Sequence, residues 1–375
     1  MKSVMGIIYT TKDDIAMREL TATRAVAALP VAGRYRIIDF MLSNMVNSGI
    51  KNVGVIVQKN YHSLMDHLGS GQEWDLHTKT DGLFILPPYQ THDNVGNYEG
   101  TLDALRSNMG YLRRSTQEYV ILTSGYGVFS TNYDGLRKQH EETGADITIM
   151  YTRNYSDIAF RNTTSSTHAY FNLDEGGAIK GIEIGANVPN SPNFSMSVMI
   201  VKRTLLIRLV DQTVARGMRD MHHDLLNYCL ANNMLLMGYE FKGYYRCVES
   251  ISSYYGFNMD MLDYEFRQEM FGRRPVYTKV RDEVPAKYGD NAVCQNSLVA
   301  DGCIIEGTVI GSVISRGVRI RKGAVVKNSI IMQECDIYEN VEVEHVIFDK
   351  LVTIRDGKLI GQKNYPILIA KGVTL

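Results

Sequence analysis

Two short pairs of arginines are the side chains in this sequence best suited to binding an anion. Arg34 and Arg36 flank Tyr35, and Arg319 and Arg321 lie closer to the C-terminus. Guanidinium groups bind phosphates and carboxylates through paired hydrogen bonds, so these residues could hold a small anionic ligand. Solvated arginines whose stems lie along the surface explain the same pattern equally well, and both interpretations stay open.

Adjacent imidazole and carboxylate groups are the second candidate for chemistry. His222, His223 and Asp224 are residue types that bind metals. The run falls in a stretch with a helical pattern, where neighbouring side chains point in different directions. We therefore interpret it as structural and predict no metal site in it.

The five cysteines indicate neither a zinc site nor a disulfide framework. Their number is odd, their density is low and no C-x-x-C pair occurs, so we expect free thiols in a reducing, cytoplasmic compartment. No apolar run approaches the roughly 20 residues that span a bilayer, and the first ten residues read as a strand and not as a signal peptide. The cysteines are Cys229, Cys247, Cys294, Cys303 and Cys335.

The composition is that of a globular protein with two domains. The chain has 375 residues, of which 45% are hydrophobic and 22% are charged, so disorder is excluded. Forty Lys and Arg residues balance 41 Asp and Glu residues, which gives no electrostatic reason to expect nucleic acid or an anionic membrane as partner. A small anion remains compatible, because it needs only a few local cations.

Up to about residue 281, β-rich runs alternate with helical patterns. This alternation predicts an α/β domain with a parallel or mixed sheet, and ligands in such folds bind beyond the carboxyl ends of the strands. The predicted strands are Val4–Tyr9, Val53–Val57, Tyr119–Thr123, Asp146–Tyr151, His168–Asn172, Ile179–Ile184, Ser195–Val201 and Leu235–Phe241. The predicted helices are Ile37–Ser48, Thr101–Arg113, Tyr133–Thr143, Thr204–Val210, Asp220–Ala231 and Ser250–Leu262.

After a linker the sequence acquires a period of six. One aliphatic residue per six predicts three short strands per coil of a β-helix, a period that neither an α-helix nor a simple strand produces. We expect the domains at residues 1–285 and, with the linker, 286–375. A register break is predicted near Glu339 and Asn340. The repeating positions are Gly311, Gly317 and Gly323, then Ile314, Ile320, Val326, Met332 and Tyr338, and then Val341, Ile347 and Thr353.

Three features resemble one enzyme family over essentially the whole chain. Arg24–Asn47, reading RAVAALPVAGRYRIIDFMLSNMVN, and Tyr98–Ala104, reading YEGTLDA, are similar to signatures of bacterial ADP-glucose pyrophosphorylases, also called glucose-1-phosphate adenylyltransferases. The hexapeptide tail is the third feature. The resemblance implies a nucleotidyltransferase-like, Rossmann-like domain with a mixed sheet, followed by a left-handed β-helix.

At the position of the family's phosphate loop the sequence departs from the family pattern. The family has a Gly-rich loop, G-G-x-G-T-R-L, whose backbone amides approach the triphosphate closely. The matching stretch, Tyr9–Ile15, has no glycine, and the carboxylates of Asp13 and Asp14 repel a nucleotide. Val26 replaces the lysine of the family's R-A-K-P motif.

The metal-ligand positions implied by the resemblance have lost their carboxylates. Gly125 stands in the loop where the family has the Asp of G-D-H, and Cys247 stands where it has the Asp of W-R-D-V-G-T. A neutral thiol is a poor ligand for Mg²⁺. The E-K-P motif for the sugar phosphate is replaced near Ile184–Ala186. Every departure weakens the charge neutralisation that nucleotidyl transfer requires.

Five positions of the family's substrate sites keep their residue types. Gln58 matches a glutamine that contacts the base, and Gly100 and Thr101 match the loop that closes over the nucleotide. Ser195 and Met196 match part of the sugar site. The resemblance implies a residual nucleotide pocket and a remnant of the sugar site. A turn and the start of a helix explain Gly100 and Thr101 as well.

The resemblance also gives the arginine pairs a specific role. Arg34 matches a basic position near the family's effector site, so Arg34 and Arg36, together with Arg319 and Arg321, are expected to hold a sugar-phosphate effector between the two domains. Asp39 is interpreted as a helix-start carboxylate that accepts hydrogen bonds from local backbone amides.

These features imply a regulatory, GlgD-type subunit of the family, inactive or very weak alone. It is expected to bind no cofactor, whereas a catalytic partner in a hetero-tetramer binds Mg²⁺ and ATP and makes ADP-glucose for glycogen biosynthesis. Two alternatives stay open: an active sugar nucleotidyltransferase whose rebuilt metal site uses Asp13 or Asp14, and a free-standing sugar-phosphate or nucleotide sensor. An acyltransferase, suggested by the tail and His345, is a third.

Overall fold

The chain forms two compact units that interleave along the sequence. The computed structural model describes residues 3–10, 15–88, 98–154, 168–185, 189–361 and 365–375. Unit 1 comprises Met1–Asp13, Phe40–Cys247 and Arg274–Tyr277. Unit 2 comprises Asp14–Asp39, Val248–Arg273 and Thr278–Leu375. The boundary expected at residue 285 marks the start of the repeats, whereas unit 2 also includes two segments from earlier in the chain.

The core of unit 1 is a nine-stranded mixed sheet. Strands β1, β4, β5 and β6 run parallel to one another, and the long strand β11 is antiparallel to β6, β8 and β9. The strands are β1 (Val4–Tyr9), β4 (Asn52–Ile56), β5 (Gly82–Leu86), β6 (Tyr119–Ser124), β8 (Ile147–Thr152), β9 (Ala169–Leu173), β10 (Ile179–Ile184), β11 (Phe194–Lys202) and β12 (Leu236–Glu240). A two-stranded ladder joins β7 (Gly127–Val128) to β13 (Arg246–Cys247).

Helices accompany this sheet. They are α1 (Ile37–Asn47), α2 (His62–Leu68), α3 (Thr101–Ser107), α4 (Met109–Arg114), α5 (Asp134–Thr143), α6 (Arg203–Val214) and α7 (Asn227–Ala231), with a 3-10 turn at Gln72–Trp74 and a π-helical turn at Met221–Leu226. All eight predicted strands and the predicted helices of this unit are present. The helix predicted over Thr101–Arg113 is two helices that meet at Asn108.

Unit 2 contains short helices, a hairpin and the solenoid. Helices α8 (Ile251–Asp260) and α9 (Tyr264–Arg267) are followed by a π-helical turn at Gln268–Gly272. Strands β2 (Pro30–Val31) and β3 (Tyr35–Arg36) form the hairpin, after 3-10 turns at Ile15–Thr21 and Val26–Ala28. A capping box of Ser250 and Ser253 begins α8.

The solenoid is the predicted left-handed β-helix, built from three parallel five-stranded sheets. The first sheet contains β14 (Lys287–Tyr288), β17 (Ile304–Ile305), β20 (Arg319–Ile320), β23 (Asp336–Ile337) and β26 (Thr353–Ile354). The second contains β15 (Val293–Gln295), β18 (Thr308–Ile310), β21 (Val325–Lys327), β24 (Glu342–Glu344) and β27 (Leu359–Gly361). The third contains β16 (Leu298–Val299), β19 (Val313–Ile314), β22 (Ile330–Ile331), β25 (Val346–Phe348) and β28 (Ile367–Ile369).

The coil length differs from the strict multiple of six that the sequence suggested. Ser329 and Val346 each donate a backbone N–H to a serine hydroxyl one coil earlier, and each bond spans 17 residues. The internal aliphatic series steps by five from Val326 to Ile331. The same step of five recurs from Val309 to Ile314 and from Val343 to Phe348, so the register shifts at the turns around Gly311, Asn328 and His345. The predicted break at Glu339–Asn340 is wrong, because the step across that turn, from Ile337 to Val343, is six.

Within the described residues, no helix is both long enough and apolar enough to cross a membrane.

Candidate functional site

The carboxyl ends of β1 and β6 meet at one edge of the sheet. The Gly125 N–H, just after β6, donates a hydrogen bond to the Tyr9 carbonyl at the end of β1 (2.9 Å). The Thr10 hydroxyl donates to the Ile56 carbonyl at the end of β4 (3.0 Å). Parallel strands bring these three ends together, which is where α/β folds bind ligands. We call this region the strand-end site.

The structure brings the two expected metal-ligand positions to the strand-end site. In the ladder between β7 and β13, Cys247 is the partner of Gly127, two residues after Gly125. Cys247 is only 5% exposed. Neither position supplies a carboxylate, and a buried thiol does not match the oxygen ligands that Mg²⁺ requires. These residues do not fit the divalent metal that the resemblance implies.

An aromatic side chain lies at the centre of the strand-end site. Tyr9 belongs to the main hydrophobic cluster of unit 1, and its hydroxyl lies 3.5 Å from the Ser197 carbonyl, which it approaches as a donor. Burial raises the pKa of the Tyr9 phenol well above its usual range, so the group is neutral at physiological pH. Tyr126 and Tyr245 are also buried here. Three buried tyrosines therefore lie at this edge of the sheet.

The sugar-site remnant is engaged in internal contacts. Ser195 and Met196 are buried in β11, where a register shift separates Ser195 from Val198. The Ser195 hydroxyl lies 3.1 Å from His222 Nε2, and it accepts a hydrogen bond from the Ser197 N–H (3.2 Å). Sequence reasoning missed this pairing, because nothing local links a helical histidine to a strand serine.

The loop expected to close over a nucleotide is held by backbone contacts. A Cβ at Gly100 would lie 2.4 Å from the Arg219 carbonyl oxygen, so only glycine allows this close approach. The same carbonyl accepts the Leu102 N–H (3.0 Å). The Gln58 side chain donates to the Tyr98 carbonyl (3.0 Å), and Thr101 is the first residue of α3. These contacts give Gln58 and Gly100 structural roles in the positions where the resemblance implies nucleotide binding.

Within the described residues, no group of three or more His, Cys, Asp or Glu side chains could hold a metal ion. His222 lies against Ser195, whereas His223 Nδ1 lies 2.9 Å from Asp224 Oδ1, so the adjacent histidines do diverge. Asp13, Asp14 and Ala186 lie outside the described residues. The role of the two aspartates as alternative metal ligands stays a prediction.

The arginine pairs have different surroundings. The Arg34 guanidinium lies 5.7 Å from the centre of the Tyr35 ring, and Arg319 is exposed. Arg321 donates two hydrogen bonds to Asp336 (3.0 and 2.8 Å), which already neutralises its charge. The Arg36 N–H donates to the Asp39 carboxylate (2.8 Å), as expected for a helix-start carboxylate. Joint anion binding by the four arginines stays a prediction.

A stronger cationic region, missed by sequence reasoning, surrounds Lys350. Burial and the nearby charges of Arg36, Arg24 and Arg281 lower the pKa of Lys350 to about 8. All four residues belong to unit 2. We call them the cation cluster. Mutually repelling cations that depress a lysine pKa are stabilised by an anion, which makes this cluster a candidate anion site.

One member of the cation cluster is neutralised internally. Arg24 forms a bidentate ion pair with Asp349 (2.8 and 2.6 Å), and the two side chains are only 4% and 1% exposed. Asp349 also accepts the Lys350 N–H (2.7 Å). Because Arg24 is paired with Asp349, its charge is already neutralised within unit 2.

Two families match this chain. The nucleotidyl transferase family matches residues 16–264, and the GlmU-like C-terminal hexapeptide family matches residues 283–365. The chain is 33% identical to the "Glycogen biosynthesis protein GlgD" of Bacillus subtilis (strain 168), over 99% of this chain and 96% of the relative. It is also 33% identical to the glucose-1-phosphate adenylyltransferases of Bacillus cereus (strain ATCC 10987) and Bacillus anthracis, over 94% of each chain.

Proposed function

This chain belongs to the ADP-glucose pyrophosphorylase (glucose-1-phosphate adenylyltransferase) family of nucleotidyl transferases, and from this we propose that it is a regulatory, non-catalytic subunit. It acts by assembling with a catalytic chain of the same family, most simply in a hetero-tetramer. By binding one conformation of that chain better than another, it changes the synthesis of ADP-glucose from ATP and glucose 1-phosphate.

The observation that carries this proposal is that Gly125 and Cys247, two positions near one edge of the sheet, offer no carboxylate. Both are positions at which the resemblance implies metal ligands, and the ladder between β7 and β13 pairs Cys247 with Gly127, two residues after Gly125. Nucleotidyl transfer requires cations to neutralise the reacting phosphates. A site whose centre is the buried, neutral phenol of Tyr9 cannot supply that charge.

Identity alone does not separate the regulatory from the catalytic role, because relatives named for each match at 33%. Two compositional losses at aligned positions favour the regulatory role. The loop after β1 lacks the glycines of the phosphate loop, and Val26 lacks the charge of the matching lysine. Val26 is buried, so no solvent-exposed side chain replaces that lysine at the same position.

The assay that tests the proposal is ADP-glucose synthesis with ATP, glucose 1-phosphate and Mg²⁺. This chain alone, an intact catalytic relative alone and the two co-expressed chains are compared. We expect no product from this chain alone and a higher rate or apparent affinity from the mixture. Synthesis by this chain alone at a rate like that of the catalytic relative refutes the proposal and favours a metal site rebuilt on Asp13 or Asp14.

The cation cluster gives the proposed subunit a route to effector control. A sugar phosphate placed beside Lys350 relieves the repulsion from Arg36 and Arg281, so its binding energy stabilises one arrangement of unit 2. The Lys350→Met variant is expected to weaken the effector response of the co-expressed chains while leaving their assembly intact. A response identical to that of the unaltered assembly argues against this route. Arg319→Met, which changes an exposed arginine of the solenoid, tests the alternative set.

A further inference from the structure

A cleft of about 720 Å³ in unit 2 lies between one corner of the solenoid and the α8–α9 region. One wall consists of turn residues from successive coils, and the other carries Tyr255 and Tyr264. The volume is in the range of small-molecule sites, which are commonly aromatic with a few polar groups. We call it the corner cleft. We propose that the corner cleft binds a neutral oligosaccharide.

The solenoid wall is a regular column of turns. Asn296, Gly311, Asn328 and His345 occupy equivalent positions in four successive coils, and all four have left-handed φ values, between 41° and 59°. Backbone hydrogen bonds of 3.0–3.1 Å join the turns at Gly311, Asn328 and His345 to the coil before each of them. Adjacent coils lie about 4.8 Å apart, so Asn296 and Asn328 are separated by about 10 Å. This is a span for a short oligosaccharide and not for a single monosaccharide.

The two asparagines on this wall present unused hydrogen-bonding groups. Both are exposed, and within the described residues neither side-chain amide has a hydrogen-bond partner. The Asn328 Oδ1 atom would lie 2.6 Å from a Cβ at Gly311, so the glycine leaves room for the amide on the wall. An amide both donates and accepts, which matches hydroxyl groups that do the same.

The opposite wall supplies aromatic surface. Tyr264 is 62% exposed. Tyr255 is fixed by its hydroxyl, which donates to the Asn328 carbonyl (2.7 Å), and by stacking on His345 with ring centres 4.8 Å apart. Rigid aromatic rings offer a large apolar contact at little entropic cost, and the C–H face of a sugar ring fits such a surface.

The charges of the corner cleft favour a neutral ligand. Asp263 accepts the Phe266 N–H (3.1 Å), and Arg267 donates to the Met261 carbonyl (2.7 Å). These are one negative and one positive side chain, each already bonded to backbone of its own segment. An anionic ligand therefore gains little here, in contrast to the cation cluster. The inference rests on no part of the proposed regulatory role.

Calorimetric titration of the full-length chain tests the inference, with maltoheptaose and cellohexaose as separate probes. We expect one of them to bind with a dissociation constant of about 1 mM or tighter. Maltoheptaose is an α-linked glucose chain and cellohexaose a β-linked one, so comparing the two titrations shows which linkage the cleft prefers. Absence of binding by both sugars up to about 10 mM overturns the proposal.

Matched variants locate the binding. Tyr264→Ala is expected to weaken the sugar that binds by about tenfold, and Asn328→Gly by about threefold. Glycine keeps the left-handed turn, so N328G removes the amide without straining the backbone. The controls are Asn340→Gly, which alters a left-handed turn residue outside the cleft, and Tyr288→Ala, which removes a half-exposed ring from the first solenoid strand.

Two results of the variant series contradict the inference. Equal losses in N340G or Y288A show that the sugar binds elsewhere. If Y264A and N328G keep sugar binding but abolish assembly with a catalytic relative, the corner cleft is a protein interface. That outcome refutes sugar binding in the corner cleft but does not contradict the proposed regulatory function. The two proposals can therefore be refuted independently.

Discussion

The strand-end site and the cation cluster differ in the charge of their side chains. At the strand-end site, Cys247 and Tyr9 are buried, burial raises the pKa of the Tyr9 phenol so that it is neutral, and the loop position Gly125 carries no side chain. In the cation cluster, burial and the nearby charges of three arginines lower the pKa of Lys350 to about 8. Close cations cost free energy unless an anion offsets them. The comparison teaches that one chain can hold an uncharged phenol and a thiol in a buried sheet edge and, elsewhere, several cations close together.

The largest expected effect concerns the ion pair that supports the cation cluster. Asp349→Ala leaves the Arg24 guanidinium buried without a counter-charge, so we expect a loss of about 3–5 kcal/mol in the free energy of unfolding. Urea denaturation followed by circular dichroism measures it. The matched control is Asp336→Ala, whose partner Arg321 is 36% exposed in its side chain, and we expect at most about 1 kcal/mol there. Equal losses in the two variants contradict the distinction.

The second effect tests the neutrality of the strand-end site. Cys247→Asp places a carboxylate in a nearly dry position, so we expect a loss of about 2–4 kcal/mol in stability at pH 7. Cys247→Ser, which changes the side chain without adding charge, serves as the control. Thermal denaturation with and without Mg²⁺ is the measurement. Equal stabilities of the aspartate and serine variants contradict the prediction.

A smaller effect concerns the loop at Gly100, which packs against the Arg219 backbone. Gly100→Ala places a Cβ against the Arg219 carbonyl, and backbone must move because no flexible side chain can yield. We expect about 1–3 kcal/mol of destabilisation. Gly110→Ala is the control, because its Cβ would meet no atom within 4 Å. Chemical denaturation of both variants measures the two stabilities. Similar free energies of unfolding contradict the requirement for glycine at position 100.

The smallest expected effect is a pH dependence of the cation cluster. The pKa of Lys350 is lowered in the folded state, so the unfolded chain binds more protons between about pH 8 and the ordinary lysine range. Stability contributed by this group therefore rises with pH across that window, and it is least below pH 8. Binding of inorganic phosphate falls over the same window as Lys350 loses its proton. Titrations of the unaltered chain and of Lys350→Met at pH 7 and 9 measure both trends, and a pH slope unchanged in Lys350→Met contradicts the assignment.

Much of the architecture followed from local patterns. Alternation of β-rich and helical runs predicted the mixed sheet, and the bounds of Val4–Tyr9 and Ile179–Ile184 agree with β1 and β10. The spacing of aliphatic residues predicted three strands per coil. The exact coil length was missed, because the turns at Gly311, Asn328 and His345 each shorten one step to five residues, which a strict period of six cannot represent.

Some features of the candidate sites could also be predicted from the sequence alone. Residue types alone indicated that positions 125 and 247 lack carboxylates, because glycine has no side chain and cysteine carries a thiol. The sequence equally determined the repeat that forms the solenoid, because the period of side-chain burial is a local property of the chain.

Only the tertiary structure decided which charges meet. Arg24 and Asp349 are 325 residues apart in the chain, yet they form a buried ion pair. Arg321, which the sequence grouped with Arg319, is neutralised by Asp336, whereas Lys350 joins Arg36. The physical reason is that Coulomb interactions depend on distance and burial in space, and neither quantity is encoded in any short stretch of residues.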